Sequence, residues 1–382
     1  MKIIFLRSNA VNPDSRVEKE VASLLKGGHE VSILAWDRES KIDSKDILKF
    51  NQFYAPIYRF GIKSEFGAGF KKNILPLSKF QKCMLTWLFK NKDQYDVIHA
   101  CDFDTAFIGY ICAKLFSKKF VYDIFDYYVD AFNVPNNLKS LIEKIDRHII
   151  NNADAVIICT EKRKKQIIGT NPKYLEVIHN TPDSSLNLNE SFQKQGTNDC
   201  YSLCYVGILQ DGRFLKEIAD IISKHQNIEL HIGGFGKLEP DFKTLSKKYE
   251  NIFYYGKLAY SDTLSLEKQC DLLFALYEPT IPNHIYSAPN KFYEALMLGK
   301  PILMFEETGF DSIINQFSIG ETVEYSYEAV ENKLLGFSNR TVNRQFNPIQ
   351  IQEIYNKYFS WNVMEERLLK LYSNIIEGGQ SD

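Results

Sequence analysis

Buried-strand patterns alternate with amphipathic helical patterns along this chain, and the series runs twice. "KIIFLR" (2–7) reads as a buried strand. "SRVEKEVASLLKGG" (15–28) follows with apolar residues at 17, 21, 24 and 25, the spacing of one helix face, and Gly27-Gly28 stops it. "HEVSILAW" (29–36) is the next strand. Two strands joined by a helix need a crossover, which sets them parallel in one sheet. The series continues with strands at 95–100, 119–125, 153–159 and 175–180 and helices at 105–116 and 136–151. It pauses in the polar, aperiodic stretch "TPDSSLNLNESFQKQGTND" (181–199) and then restarts. The second series has strands at 201–207, 228–234, 252–256, 271–276 and 301–305, with helices at 213–224, 240–249, 261–268 and 289–298.

The expected fold is therefore α/β, with two Rossmann-like doubly wound parallel-sheet domains facing a cleft. The expected boundaries are 1–183 for the first domain, 184–199 for a linker and 200–358 for the second domain. The helical pattern "WNVMEERLLKLYSNII" (361–376) comes after the second series is complete, so residues 359–382 are expected to cross back to the first domain.

Bulk properties exclude several classes. The chain has 382 residues, 45% hydrophobic and 25% charged, the profile of a soluble globular protein with two cores. Seven cysteines, with no CxxC pair among them, read as reduced core residues of a cytosolic protein and not as a zinc site or disulfide frame. The N-terminus has too short an apolar run for a signal peptide, and no stretch is apolar enough to span a bilayer. No GxGxxG and no Walker sequence is present, which argues against hydride transfer and P-loop chemistry. Residues 1–180 hold 28 basic against 21 acidic residues, and the remainder 18 against 27. That asymmetry suits a first half that meets something anionic.

The segment "APNKFYEALMLGKP" (288–301) carries the functional reading. Ser287 is the expected N-cap, with Pro289 in the first turn and Gly299 as the C′ residue. Asn290, Lys291 and Glu294 share one helix edge, while Phe292, Ala295, Leu296 and Leu298 face a core. The unpaired N–H groups and positive dipole of a helix start attract phosphate, and Lys291 adds to that attraction. Glu294 lies one turn deeper, where it suits vicinal hydroxyls such as those of a ribose. The plain alternative is a Lys–Glu surface pair.

"NKFYEALMLGKP" resembles the nucleotide-binding signature of GT-B glycosyltransferases, especially the retaining family 4 group, which reads K-x-x-E-A-x-x-x-G-x-P. The similarity extends over "NPDSRVEKEVASLLKGGHEVSIL" (12–34), "YDVIHACDFDTAFIGYICAKL" (95–115), "VIHNTPD" (177–183), "YVGILQDGR" (205–213) and "FSWNVMEERLLKLY" (359–372). The resemblance implies a ribose role for Glu294 and phosphate roles for Gly207, Arg213, Asn290 and Lys291, with Ser287 beside them. It implies that a nucleotide diphosphate-sugar, a UDP-sugar by frequency alone, binds the second domain and the acceptor the first. It also implies retention, with Arg213 and Lys291 offsetting the leaving charge in place of a metal, and no cofactor. Two positions depart from the pattern. Tyr286 stands where relatives have the first glutamate of an E-x7-E pair, and Phe125 where they carry a histidine.

Asp126, next to Phe125, is the candidate catalytic carboxylate of the first domain. Arg16, His99, Asp102 and Asp123 are the acceptor-side candidates, being at strand ends or early in the first helix. In "CDFDTA" (101–106), Asp104 is the expected cap of the next helix. Residues 59–92 hold eight basic residues and one acid among Phe, Leu, Trp and Met. This mixture, with a basic amphipathic helix at 78–90, fits peripheral contact with an anionic membrane better than nucleic acid. The reading is a cytoplasmic glycosyltransferase, at the inner face of the plasma membrane, acting on a glycan or lipid-linked acceptor. Its alternatives are a catalytically silent nucleotide- or partner-binding subunit and an epimerase of the same fold.

Overall fold

The structure is a computed structural model that describes residues 1–65, 70–131, 134–183, 188–197, 199–338 and 346–378. The chain divides into two units, one of Met1–Asn180 with Met364–Asp382 and one of Thr181–Val363.

The first unit contains β1 (Lys2–Arg7), α1 (Ser15–Lys26), β2 (Glu30–Asp37), β3 (Ser44–Phe50), β4 (Phe53–Gly61), α2 (Phe70–Lys90), β5 (Val97–Cys101), α3 (Phe103–Leu115), β6 (Lys119–Ile124), α4 (Tyr128–Ala131), α5 (Asn136–Asn152), β7 (Ala155–Ile158) and β8 (Leu175–Val177). Its sheet has the order β3-β4-β2-β1-β5-β6-β7-β8. All neighbours are parallel except the β3–β4 hairpin at one edge. The sequence pattern gave no sign of that hairpin. β3 is exposed along most of its length, so it lacks the apolar run that marks a buried strand.

The second unit contains β9 (Tyr201–Ile208), α6 (Leu215–Ser223), β10 (Ile228–Phe235), α7 (Glu239–Lys248), β11 (Ile252–Tyr254), α8 (Tyr260–Gln269), β12 (Leu272–Ala275), α9 (Pro282–Ile285), α10 (Asn290–Leu298), β13 (Ile302–Phe305), α11 (Asp311–Phe317), β14 (Gly320–Val323), α12 (Tyr327–Ser338) and α13 (Pro348–Ile354). Its order, β11-β10-β9-β12-β13-β14, is the doubly wound one, with every neighbour parallel. Helices cover both faces, so the strands are mostly apolar rather than alternating, with Glu229 and His231 of β10 buried among them, and β12 and β13 are wholly buried.

Part of the stretch expected as a linker is folded. Residues 184–187 and 198 lie outside the described residues. Within 188–197, Asn189 donates to Asp262 at 2.6 Å and Ser265 donates to the Asn189 carbonyl at 3.0 Å. The Lys194 N–H donates to Gln269 at 3.0 Å, and Gln269 donates to the Phe192 carbonyl at 2.8 Å. These bonds hold the stretch against α8, where its own polar side chains replace water. The last helix, α14 (Trp361–Glu377), starts in the second unit, and from Met364 onward it belongs to the first.

Candidate functional site

In the second unit β9 and β12 are neighbours from which the chain leaves toward opposite sheet edges, the place where open α/β sheets bind ligands beyond their carboxyl ends. Gly207, near the end of β9, pairs in register with Gly234 of β10. Gly234 has φ +126°, and a Cβ there would lie 1.8 Å from the Gly207 carbonyl oxygen, so the two backbones meet where no side chain fits.

The loop after β9 delivers Arg213. Its guanidinium stacks 3.7 Å from the centre of the Tyr277 ring, just past β12, and its buried Nε has no hydrogen-bond partner among the described residues. Burial raises the Tyr205 phenol against the pull of Arg213, and its hydroxyl donates to the Ile208 carbonyl at 3.0 Å. The Glu278 N–H donates to the Gly212 carbonyl at 3.0 Å, tying the two loops together. His284 is bonded through Nδ1 to the Glu278 carbonyl at 3.0 Å. Burial, aided by Arg213, holds its imidazole below the usual range. The ring is then neutral at pH 7, with Nδ1–H as donor and Nε2 as acceptor.

Helix α10 follows. Its N-cap is Pro289, with no side-chain cap, which corrects the expectation for Ser287. The Ser287 hydroxyl instead donates to the His284 carbonyl at 2.9 Å. The first N–H groups of α10 therefore have no side-chain acceptor from the cap position. Gly299 closes the helix in the left-handed region, as expected. Asn290 is exposed at the helix start.

Lys291 and Glu294 form no surface pair. Lys291 is 7% exposed and Glu294 1%, and the Lys291 ammonium donates to Glu294 Oε2. The same ammonium lies 3.2 Å from Glu267 Oε1, on the wholly buried face of α8. Burial and the Glu294 carboxylate push the Glu267 carboxyl up to about 8. Burial alone would lower Lys291, but Glu267 and Glu294 hold it well above its ordinary value. At neutral pH Glu267 keeps its proton, and the cluster carries one positive and one negative charge. The charge of Lys291 is spent locally. Arg213 keeps an Nε–H without a partner among the described residues, so it remains able to donate to a ligand. The sequence reading missed Glu267, Tyr205 and Tyr277. The one signal for Glu267 was its place on the Thr263–Leu264 helix edge, three and four residues along.

The first-unit candidates sit in a closed network. Arg16 donates to Asp123 at 2.7 and 3.3 Å and to the Ile178 carbonyl at 2.7 Å, and its Nε lies 3.1 Å from Glu20. His99 bonds to the Tyr372 hydroxyl at 2.8 Å and lies 3.5 Å from Asp123. Arg16 is 2% exposed, and His99, Asp123 and Glu20 are fully buried. Arg16 and Asp123, expected on the acceptor side, are paired with each other inside the unit, whereas the buried Nε2 of His99 has no hydrogen-bond partner among the described residues. Burial and Asp123 raise Glu20, whereas Arg16 and His99 lower Asp123 against the effect of its own burial. Among the described residues, the one cluster with metal-ligand spacing is His99, Cys101 and Asp123, inside this network.

Asp102 accepts from Arg7 at 2.6 Å and from the Phe125 and Asp126 N–H groups at 2.9 and 3.2 Å. Burial raises its carboxyl to about 6 against the pull of Arg7. Asp102, not Asp104, precedes α3, and Asp104 is buried within that helix. Phe125 lies between the Arg7 and Arg16 guanidiniums, 4.2 and 4.6 Å from its ring centre. Asp126 is half exposed and paired with Arg163 at 2.7 Å.

Residues 16–186 match the family described as Glycosyltransferase Family 4. The chain superposes on sucrose-phosphate synthase from Thermosynechococcus elongatus with TM-score 0.77 and 13% identity, covering 99% of this chain and 100% of that one. For Anabaena HepE in complex with UDP and glucose the values are 0.69 and 15%, covering 98% and 99%. For the E. coli trehalose-6-phosphate structure bound with UDP-2-fluoro glucose they are 0.73 and 9%, with the same coverage. The family match covers less than half of the chain, and the superpositions show that the whole chain has the GT-B fold. No curated sequence matches it. The Family 4 match covers the first unit almost entirely, so the α10 site lies outside it and is read from its own geometry.

Proposed function

We propose that this chain is a glycosyltransferase that binds a nucleotide diphosphate-sugar on its second unit and transfers the sugar to a glycan or lipid-linked acceptor. The observation that carries the reading is Arg213. Its buried Nε has no hydrogen-bond partner among the described residues, and it lies on the loop after β9, at the carboxyl end of the sheet where open α/β folds bind ligands. The N–H groups at the start of α10 and the dipole behind them add to that attraction. As the diphosphate leaves, these fixed positive groups stabilise the charge that develops, which is the part a metal plays elsewhere. Glu294 is the ribose ligand, held in place by Lys291. Tyr205 lies within the electrostatic reach of both Arg213 and Lys291. We assign retention of configuration, no metal and no cofactor. UDP is the nucleotide we favour, because related folds have been solved with UDP and UDP-glucose. The cytoplasm, against the inner membrane face, is the proposed location, supported by the basic balance of residues 1–180.

A second reading, a silent nucleotide-binding subunit, is favoured by Phe125, which is locked between two guanidiniums and offers no base. Turnover separates the two. Thermal shift against UDP-, GDP- and ADP-sugars should reveal a best donor, and purified protein should hydrolyse or transfer it. Arg213→Ala should remove the donor-induced shift while leaving the apo melting temperature nearly unchanged, since Arg213 makes no ion pair among the described residues. An undiminished donor shift in that variant would refute the phosphate assignment. Affinity without turnover would select the silent subunit.

A further inference from the structure

We propose that the outward face of α2, with the end of α3, docks on an anionic lipid surface. Helix α2 is an amphipathic helix about 30 Å long whose inner stripe, Phe80, Met84 and Leu88, is fully buried in the first unit's core. Its opposite stripe is not needed for that core, yet it is not polar. Leu75 is 72% exposed and Phe89 59%, and Leu85 is exposed between them. The spacing 75, 79, 82, 85, 89 and 90 keeps these apolar residues and Lys79, Lys82 and Lys90 on one helix face. Residues 70–92 include no acid at all.

Some exposed lysines of the chain have carboxylate partners, such as Lys224 with Asp220, Lys243 with Glu239 and Lys216 with Asp241, and what sets the α2 lysines apart is their place among exposed apolar residues on a helix with no acid. Among the described residues Lys79, Lys82 and Lys90 have none within 4 Å. The patch continues onto α3. Phe89 meets Phe116 edge-on at 5.6 Å, and Leu115, 62% exposed, lies beside Lys114. Exposed branched aliphatics among unpaired ammoniums match an interface of acyl chains and anionic headgroups. They offer few flat rings on which bases could stack, which disfavours nucleic acid. No helix of the described residues is long and apolar enough to cross a membrane, so the contact is one of lying on the surface.

The proposal does not rest on the donor site, and the two fail separately. The full chain should float with phosphatidylcholine vesicles containing phosphatidylglycerol, not with phosphatidylcholine alone, and binding should weaken as salt rises. The triple variant Lys79→Glu, Lys82→Glu, Lys90→Glu should lose at least tenfold in vesicle affinity. Leu75→Ser with Phe89→Ser should lose the binding that survives high salt. Both should keep the circular dichroism spectrum and the donor-induced thermal shift of the parent. Failure to float with anionic vesicles, or equal flotation of the charge-reversed chain, overturns the proposal. So does a dimer in solution that these substitutions abolish, which would make the occupant a second copy. Tighter binding to an oligonucleotide than to vesicles would also overturn it.

Discussion

A lysine and a glutamate three apart on a helix look like a solvated pair, and it is burial that makes Lys291 and Glu294 something else. Two carboxylates share one ammonium in a nearly dry place, so one of them must stay protonated to balance the charge. Glu267 takes that role, with its carboxyl near 8. The sign of the stability effect follows. The carboxyl binds its proton more tightly folded than unfolded, where it titrates at about 4.3. Its contribution is fully present below that value, declines as pH rises, and is lost as pH passes through about 8. Glu267→Gln mimics the protonated form at every pH. The stability of this variant relative to the parent should grow between pH 5 and 8, by no more than about 1.4 kcal/mol per pH unit. Urea unfolding at several pH values measures it, and parallel curves would refute the assignment. At pH 7 the variant should keep its donor response. Lys291→Met, by contrast, leaves two buried carboxylates without their cation and should cost about 3–5 kcal/mol.

At the level of elements, the parallel strands of both units were legible because helices cover both sheet faces and force continuous apolar runs. α10 was legible from its own signals, apart from its cap. Pro289 took that position because its fixed φ suits the turn into the helix. Illegible were the elements that gain nothing from periodicity, such as the exposed β3 and the four-residue β14. What the first-unit candidates meet in the structure was illegible for a related reason. A charged residue at a strand end looks the same in sequence whether it meets a ligand or a partner 107 residues away, as Arg16 meets Asp123. The glycine pair at the β9–β10 ends gives a sharp test. Gly234→Ala places a methyl inside the radius of the Gly207 carbonyl at a backbone angle that side chains rarely adopt. It should destabilise the second unit by more than about 2 kcal/mol and remove the donor-induced shift. A variant with the parent's urea midpoint would show that the strand ends are not so tightly joined.

Across the whole chain, the first unit joins Met1–Asn180 with Met364–Asp382, and this makes its stability depend on residues that follow the second unit in sequence. Met364, Leu368, Leu371, Tyr372 and Ile375, spaced as one helix face, are nearly or fully buried within that unit. Glu365 accepts from Ser23 at 2.8 Å and pairs with Lys26 at 2.5 Å, and Arg367 donates to the Val177 carbonyl at 2.9 Å. Tyr372 also supplies the bond to His99 that closes the buried Arg16–Glu20–Asp123 network. Five such apolar side chains are worth on the order of 10 kcal/mol, comparable to the net stability of a whole domain. A chain stopped after Val363 should therefore leave β1 to β8 open to protease at 25 °C, while the second unit keeps its protection and its donor response. Tyr372→Phe is the graded version. It keeps the ring and removes one hydroxyl, leaves a buried imidazole nitrogen without its partner, and should cost about 1–3 kcal/mol. If the truncated chain resists protease in residues 1–180 as well as the full chain does, the first unit folds on its own, and the returning helix is an accessory to it and not part of its core.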